Sequence, residues 1–134
     1  MAVAFAAPAQ AAATHKLTFR AMVASFRKVD EPPVGDSVGD RFEFTDILFV
    51  HSRRVGRDAA VCVHTDRVYY ICDWTIVLRR GTLQLHLLFH DTNAGYTLAV
   101  DGGTGSYARA SGTMRVTDAL KPVGRYVIIY RILG

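Results

Sequence analysis

Twelve acidic side chains, five histidines and two cysteines are spread over 134 residues, and few stand where chemistry would want them. Asp46 is one. In Arg41–Val50 the alternation of a strand puts Phe42, Phe44, Asp46 and Leu48 on one face, where a carboxylate among apolar groups is the odd member. Buried there, it could polarise an oxygen or move a proton. His64 and Tyr70 are a second pair, cross-strand neighbours if Ala59–Thr65 and Tyr69–Leu78 form a hairpin. A histidine, a tyrosine and a carboxylate lining an apolar interior look like a ligand site. A structural hydrogen-bond network, or a His64 at an exposed rim, fits the same residues. Asp46, His64 and Tyr70 are therefore the candidate catalytic residues.

Other chemical signals are weaker. Gly35-Asp36-Ser37-Val38-Gly39 has the spacing of a nucleophile elbow, which needs a strand before it and a helix after it; here it follows Pro32-Pro33 and precedes a strand. It reads as a loop. Gly102-Gly103-Thr104-Gly105 resembles a phosphate cradle, but no helical pattern follows to meet an anion. A tight β-connection using glycine at positive φ explains it better. His86 and His90 would be about 13 Å apart on a strand, and no Cys/His spacing suggests zinc. No metal is expected.

The elements that must hold these residues are strands. From His15 onward the chain alternates, with candidate strands at His15–Ser25, Arg41–Val50, Ala59–Thr65, Tyr69–Leu78, Thr82–His90, Tyr96–Asp101, Thr113–Thr117 and Arg125–Leu133. Eight short strands broken by Gly, Asp and Asn argue for an all-β sandwich or barrel, and eight are enough to close a barrel able to hold side chains or one small ligand. A turn at Asp66-Arg67-Val68 sets Val63 opposite Ile71, Ala60 opposite Trp74 and Cys62 opposite Cys72. Directly opposed cysteines can close a disulfide with modest adjustment; two buried thiols are the alternative. A two-residue loop at Arg80-Gly81 sets Leu78 opposite Leu83, Ile76 opposite Leu85, Trp74 opposite Leu87 and Cys72 opposite Phe89, every pair apolar. Cys62, Cys72, Trp74, Ile76, Leu83, Leu85 and Leu87 thus share one interior. Its expected ligand-lining residues are Phe42, Phe44, Leu48, Trp74, Ile76, Leu85 and Leu87.

The length suits one domain, and no apolar run is long enough for a membrane helix. A net charge of +4 invites nucleic acid, but the arginines group at apparent turns: Arg53, Arg54 and Arg57 in one, Arg79 and Arg80 in another, Arg67 in a third. Arginine at hairpin ends is usually solvated surface, so neither nucleic acid nor membrane is an expected partner. Residues 1–14 are Ala-rich, and Ala9-Gln10-Ala11 fits a signal cleavage pattern. They read as a signal-peptide remnant or a disordered arm, leaving 15–134 as the barrel domain. Secretion is the expected localisation, with the cytoplasm the alternative if the arm is no signal.

Two stretches resemble a known superfamily. Gly39-Asp40-Arg41-Phe42-Glu43-Phe44-Thr45-Asp46-Ile47-Leu48-Phe49 and Val55-Gly56-Arg57-Asp58-Ala59-Ala60-Val61-Cys62 are similar to allene oxide cyclases, and Gly102-Gly103-Thr104-Gly105-Ser106-Tyr107 through Gly112 resembles a signature these share with dirigent proteins. The resemblance is to exported bacterial members and runs from about Gly35 to Leu133. It implies a single closed eight-stranded antiparallel barrel of the calycin type, often trimeric, so a homo-oligomer (trimer or dimer) is expected. It also implies an apolar cavity that holds a substrate in reactive shape without a cofactor. On this pattern Asp46 stands where the cyclases place an asparagine that helps hold a water, and Cys62 at their cavity cysteine. The expected function is binding an apolar small molecule and directing its cyclisation or isomerisation, as a cofactor-independent cyclase or isomerase; the alternative is a non-catalytic secreted barrel, either ligand-binding or structural.

Overall fold

A computed structural model of the chain describes residues 2–5, 13–66, 69–90, 95–118 and 123–132, excluding the side chains of Phe89 and His90. The proposed cleavage pattern at Ala9–Ala11, the turn residues Arg67 and Val68, the His90 side chain and the expected strand end at Leu133 lie outside them. Eight strands follow in order: β1 Thr14–Val29, β2 Arg41–Val50, β3 Arg53–Asp66, β4 Tyr69–Leu78, β5 Gly81–His90, β6 Tyr96–Gly103, β7 Ala110–Thr117 and β8 Val123–Ile132. Each pairs antiparallel with the next, and β8 returns to β1, closing the barrel. The alternation allowed a sandwich or a barrel; the closed antiparallel barrel implied by the resemblance is the observed fold. Among the described residues no helix is long and apolar enough to cross a membrane.

Alternation accounts for the inside. Phe19 of β1, Leu48 of β2, Trp74 and Ile76 of β4, Leu83 and Leu85 of β5, Leu98 of β6, Met114 of β7 and Ile128 of β8 form one buried cluster. Fully burying a side chain of this size is worth about 1.5–3 kcal/mol. One end is plugged by the connection after β6. Thr104 N–H donates to the Thr82 carbonyl and Ser106 N–H to that of Arg80, which seats a short 3₁₀ turn, Gly105–Tyr107, and packs Tyr107 into the cluster. The glycine-rich segment is thus a structural connection.

The structure corrects two expectations. Arg53, Arg54 and Arg57 lie in β3 rather than in a turn, because the loop is only His51-Ser52 and Val50 already pairs with Arg53. An antiparallel sheet with one wet face accommodates such charges. The β4–β5 hairpin turns at Arg79-Arg80, so Leu78 pairs with Gly81, Ile76 with Leu83, Trp74 with Leu85 and Cys72 with Leu87, two residues off the expected register. Gly81, at φ +145°, lies against the Thr104 carbonyl, where a Cβ would collide. That close approach sets the turn one position earlier. Because side chains repeat every two residues, the shift leaves every one on its expected face.

The β3–β4 register matches the expectation, with Cys62 opposite Cys72, and the two form a disulfide. β1 pairs with β8 only as far as Met22↔Val123, then bulges between Val23 and Ser25 and continues along β2 to Val29. At this end of the barrel Val23 and Phe26 are 50% and 63% exposed, so the apolar interior reaches solvent there.

Candidate active site

The inward carboxylate of β2 has a partner the sequence reading passed over. Asp46 pairs with Asp58 of β3, and they are only 3% and 1% exposed. Asp46 N–H donates to Asp58 Oδ1 at 3.1 Å, and the Tyr126 hydroxyl of β8 donates to Asp46 Oδ2 at 2.5 Å. Trp74 packs edge-on against both Phe44 and Tyr126, with centroids 5.0 and 5.4 Å apart. No ion pair among the described residues includes either carboxyl group. Two acids side by side in an apolar wall cannot both ionise cheaply. Burial first, and then the Asp46 charge, push the Asp58 carboxyl up to about 9, so the pair holds a proton on Asp58 at neutral pH. Burial raises Tyr96 to about 12, with Asp46 and Asp58 adding to it, and raises Tyr126 further still. Both remain neutral donors.

Two atoms here lack partners. Asp58 Oδ2 and Trp74 Nε1 are buried without a hydrogen bond. The indole eases the Asp58 shift slightly, yet the two do not reach bonding geometry. Buried polar atoms are nearly always satisfied, so each exception asks for an explanation.

Toward the open end lies an aromatic tier. Phe26 stacks on Phe42 and Phe42 on Phe44, at 5.8 and 6.2 Å between centroids, and Phe42 meets Tyr70 at 5.2 Å. The disulfide packs with Phe42, Phe44, Tyr70 and Leu87. His64 and Tyr70 are paired, as expected, and their rings stack at 4.6 Å. His64 Nδ1 lies 3.0 Å from the Ser37 carbonyl; a carbonyl only accepts, so the proton sits on Nδ1. Ser37 is a loop pin. Its N–H and hydroxyl donate to Asp40, and the N–H is the main cause holding the Asp40 carboxyl below its ordinary range.

The three candidate catalytic residues do not form one cluster. His64 is six residues along β3 from Asp58, about 20 Å at strand rise, so Asp46 works at mid-depth while His64 and Tyr70 stand at the mouth. Of the expected lining residues, Phe42, Phe44, Trp74, Leu85 and Leu87 lie between these levels; Leu48 and Ile76 pack at or beyond the carboxylates, toward the plugged end. Asp58 shares the inward parity of Ala60 and Cys62, and Tyr126 that of Ile128, signals the sequence did contain. His86, weighed as a metal ligand, is held on the outer face between Asp73 and Asp101 at 2.8 Å each.

No protein-family model matches the sequence, and no curated protein does. Solved structures do. A pyocyanin demethylase superposes with a TM-score of 0.81 at 31% identity, over 87% of this chain and 99% of that one. The chain belongs to the pyocyanin demethylase family. The dirigent-like barrel fold is shared more widely. A pterocarpan synthase dirigent protein matches at TM-score 0.68 and 17% identity, covering 96% of this chain and 90% of its own. A Diels–Alderase from Streptomyces koyangensis matches at 0.71 and 14%, covering 94% and 72%. At such identities these two share the barrel with the pyocyanin demethylase family and speak for the fold alone.

Proposed function

We propose that this barrel binds a flat, largely apolar molecule bearing hydrogen-bond acceptors and moves a proton on it, driving isomerisation or ring closure without a cofactor. The observation that carries this reading is the pair of unsatisfied buried atoms, Asp58 Oδ2 and Trp74 Nε1, beside the Asp46–Tyr126 hydrogen bond. An acceptor atom placed between them would satisfy both. Asp58 then gives its proton to that acceptor, and Asp46, oriented by Tyr126, takes one from the substrate. The substrate gains one proton and loses one, and the adjacent carboxyl groups pass the proton back to restore the starting state. Phe42, Phe44, Trp74, Leu85 and Leu87 hold the molecule in reactive shape, with His64 and Tyr70 receiving it at the mouth. The pyocyanin demethylase relative makes pyocyanin the first ligand to offer.

Trp74 is the one tryptophan in the chain, so its fluorescence reports on the site. Pyocyanin and a panel of similarly flat heteroaromatics are titrated against wild type, Asp46→Asn and Asp58→Asn, with products followed by chromatography. Quenching in all three proteins and turnover in wild type alone is the expected result. No quenching by any member, or equal turnover in all three, would overturn the reading.

A second reading has its own support. Leu48, Ile76, Leu83, Met114 and Ile128 have no exposure at all, and so tightly filled a lower barrel suits a non-catalytic binding or structural protein. Quenching without product in any variant would decide for it. Either way we place the protein in an oxidising compartment, since the Cys62–Cys72 disulfide would be reduced in a cytosol, and the Ala-rich start fits export. Exposed Val61, Val63, Ile71 and Leu88 on the outer face favour a homo-oligomer.

A further inference from the structure

We propose that the outside of the barrel carries a second binding site, for a small amphipathic carboxylate, in the groove over β2–β4 rimmed by Arg54 and Arg57. The groove encloses about 400 Å³, within the range of small-molecule sites. It arises from a step in side-chain size along the outward rows. Thr45, Ala59 and Thr75 stand in register across three strands, and the next row is Ile47, Arg57 and Val77. The first row is small and the second large, so the surface dips between them. Ala24, the extra residue of the β1 bulge, lines the open side.

The chemistry of the walls selects the ligand. Ile47, Ala59 and Val77 are apolar. The Thr45 hydroxyl is bonded to Ser25 and that of Thr75 donates to Gln84, so neither is left seeking a partner. Arg54 and Arg57 are exposed, and no ion pair among the described residues involves them. Asp46 and Asp58 also line the groove, but both residues are buried and their side chains take the inward parity of Leu48 and Ala60, so it is their backbone that meets the groove. Among the described residues no carboxylate forms an ion pair with either guanidinium group. A ligand with a flat or chain-like apolar body lies along the floor, and its carboxylate meets the arginine fork, which binds planar anions in bidentate fashion. The site is independent of the interior chemistry, from which the sheet wall separates it.

The test is calorimetric titration of the full chain with 2-naphthoate, and with 2-naphthalenemethanol as its uncharged counterpart. Saturable naphthoate binding is expected, weakened on the order of tenfold or more in Arg54→Gln/Arg57→Gln and in the uncharged ligand. Ala59→Phe, which fills the floor from outside, should abolish it. Circular dichroism melts confirm that each variant folds, and Ala59→Gln replaces Ala59→Phe if the latter does not. No binding at millimolar ligand would overturn the proposal, as would equal affinity for the alcohol or binding that survives both groove variants. Light scattering adds one more such outcome: wild type an oligomer and Ala59→Phe a monomer would mean that a second copy covers the groove.

Discussion

The two halves of the barrel interior are built from the same alternating strands and end in opposite conditions. Toward the plugged end, Leu48, Leu83 and Ile128 belong to one buried apolar cluster, and Tyr107 packs into it. Beside them the barrel buries Asp46, Asp58 and Tyr126, with Tyr96 partly buried at the same site. A single charge costs far more to bury than a methylene contributes by burial. The polar level can persist only because the apolar level beneath it holds the barrel shut. Stability and chemistry are thus separated along the barrel axis, and a substitution should reveal which level it struck.

The largest expected effect belongs to the polar level. Asp46→Asn keeps the backbone N–H that donates to Asp58 and removes the carboxylate that Tyr126 orients. Turnover of whichever flat heteroaromatic proves to be the substrate should fall about 10²–10⁴-fold, as for loss of a proton-transfer group, while the thermal midpoint holds or rises. Steady-state rates and a melt on the same sample check this. Leu83→Ala should show the reverse, losing about 2–5 kcal/mol in urea unfolding with less change in rate per folded molecule. If both variants lost activity and stability in equal measure, the two-level division would be wrong.

A smaller effect is expected at the disulfide, which joins β3 to β4 across a separation of 10 residues on the mouth side. Replacing both cysteines by alanine frees the unfolded chain, and loop-closure entropy puts the loss at about 2–3 kcal/mol. The comparison is between the double variant and reduced wild type, by urea unfolding with and without dithiothreitol. Wild type should respond to the reductant and the variant should not. Because Phe42, Phe44, Tyr70 and Leu87 pack on the sulfurs, ligand affinity should weaken alongside.

These levels differ in how far the sequence exposed them. Period-two alternation is enough to put Trp74 and Leu85 on one face and Cys62 opposite Cys72, and it survives a β4–β5 register two residues out, because a slip of two cannot change a face. It failed where a boundary was misjudged. Starting β3 at Ala59, on the strength of three arginines that resemble a turn, left Asp58 outside the strand and hid the partner of Asp46. Tyr126 was harder. It reaches Asp46 from 80 residues away, over β1, from a strand that does not pair with β2; only closure of the barrel creates that contact, and no local pattern encodes it. The outer groove depends likewise on three-strand register, which pairwise hairpin reading does not supply.

The change that best isolates the polar level is pH dependence. Burial holds the Asp58 proton up to about 9, against 3.8 for the same group in an unfolded chain. Between those values the folded protein binds a proton that the unfolded chain has released, so stability must fall as pH rises through the window, by at most about 1.4 kcal/mol per unit. Above about 9 both states are ionised and the slope from this group ends. Asp40 has the opposite sign: with its carboxyl held low by the Ser37 N–H, its contribution is present above the ordinary carboxylate range and is lost on acidification. Urea unfolding at pH 5, 7 and 9 should therefore show wild type weakening upward. Asp58→Asn, which has no proton to release and retains an oxygen for the Asp46 N–H, should be flatter and the more stable of the two at pH 9. A variant whose slope matched that of wild type would show that Asp58 is ionised in the folded protein, and the proton donor assigned to the site would have to be sought elsewhere, with Tyr96 and Tyr126 the neutral donors that remain.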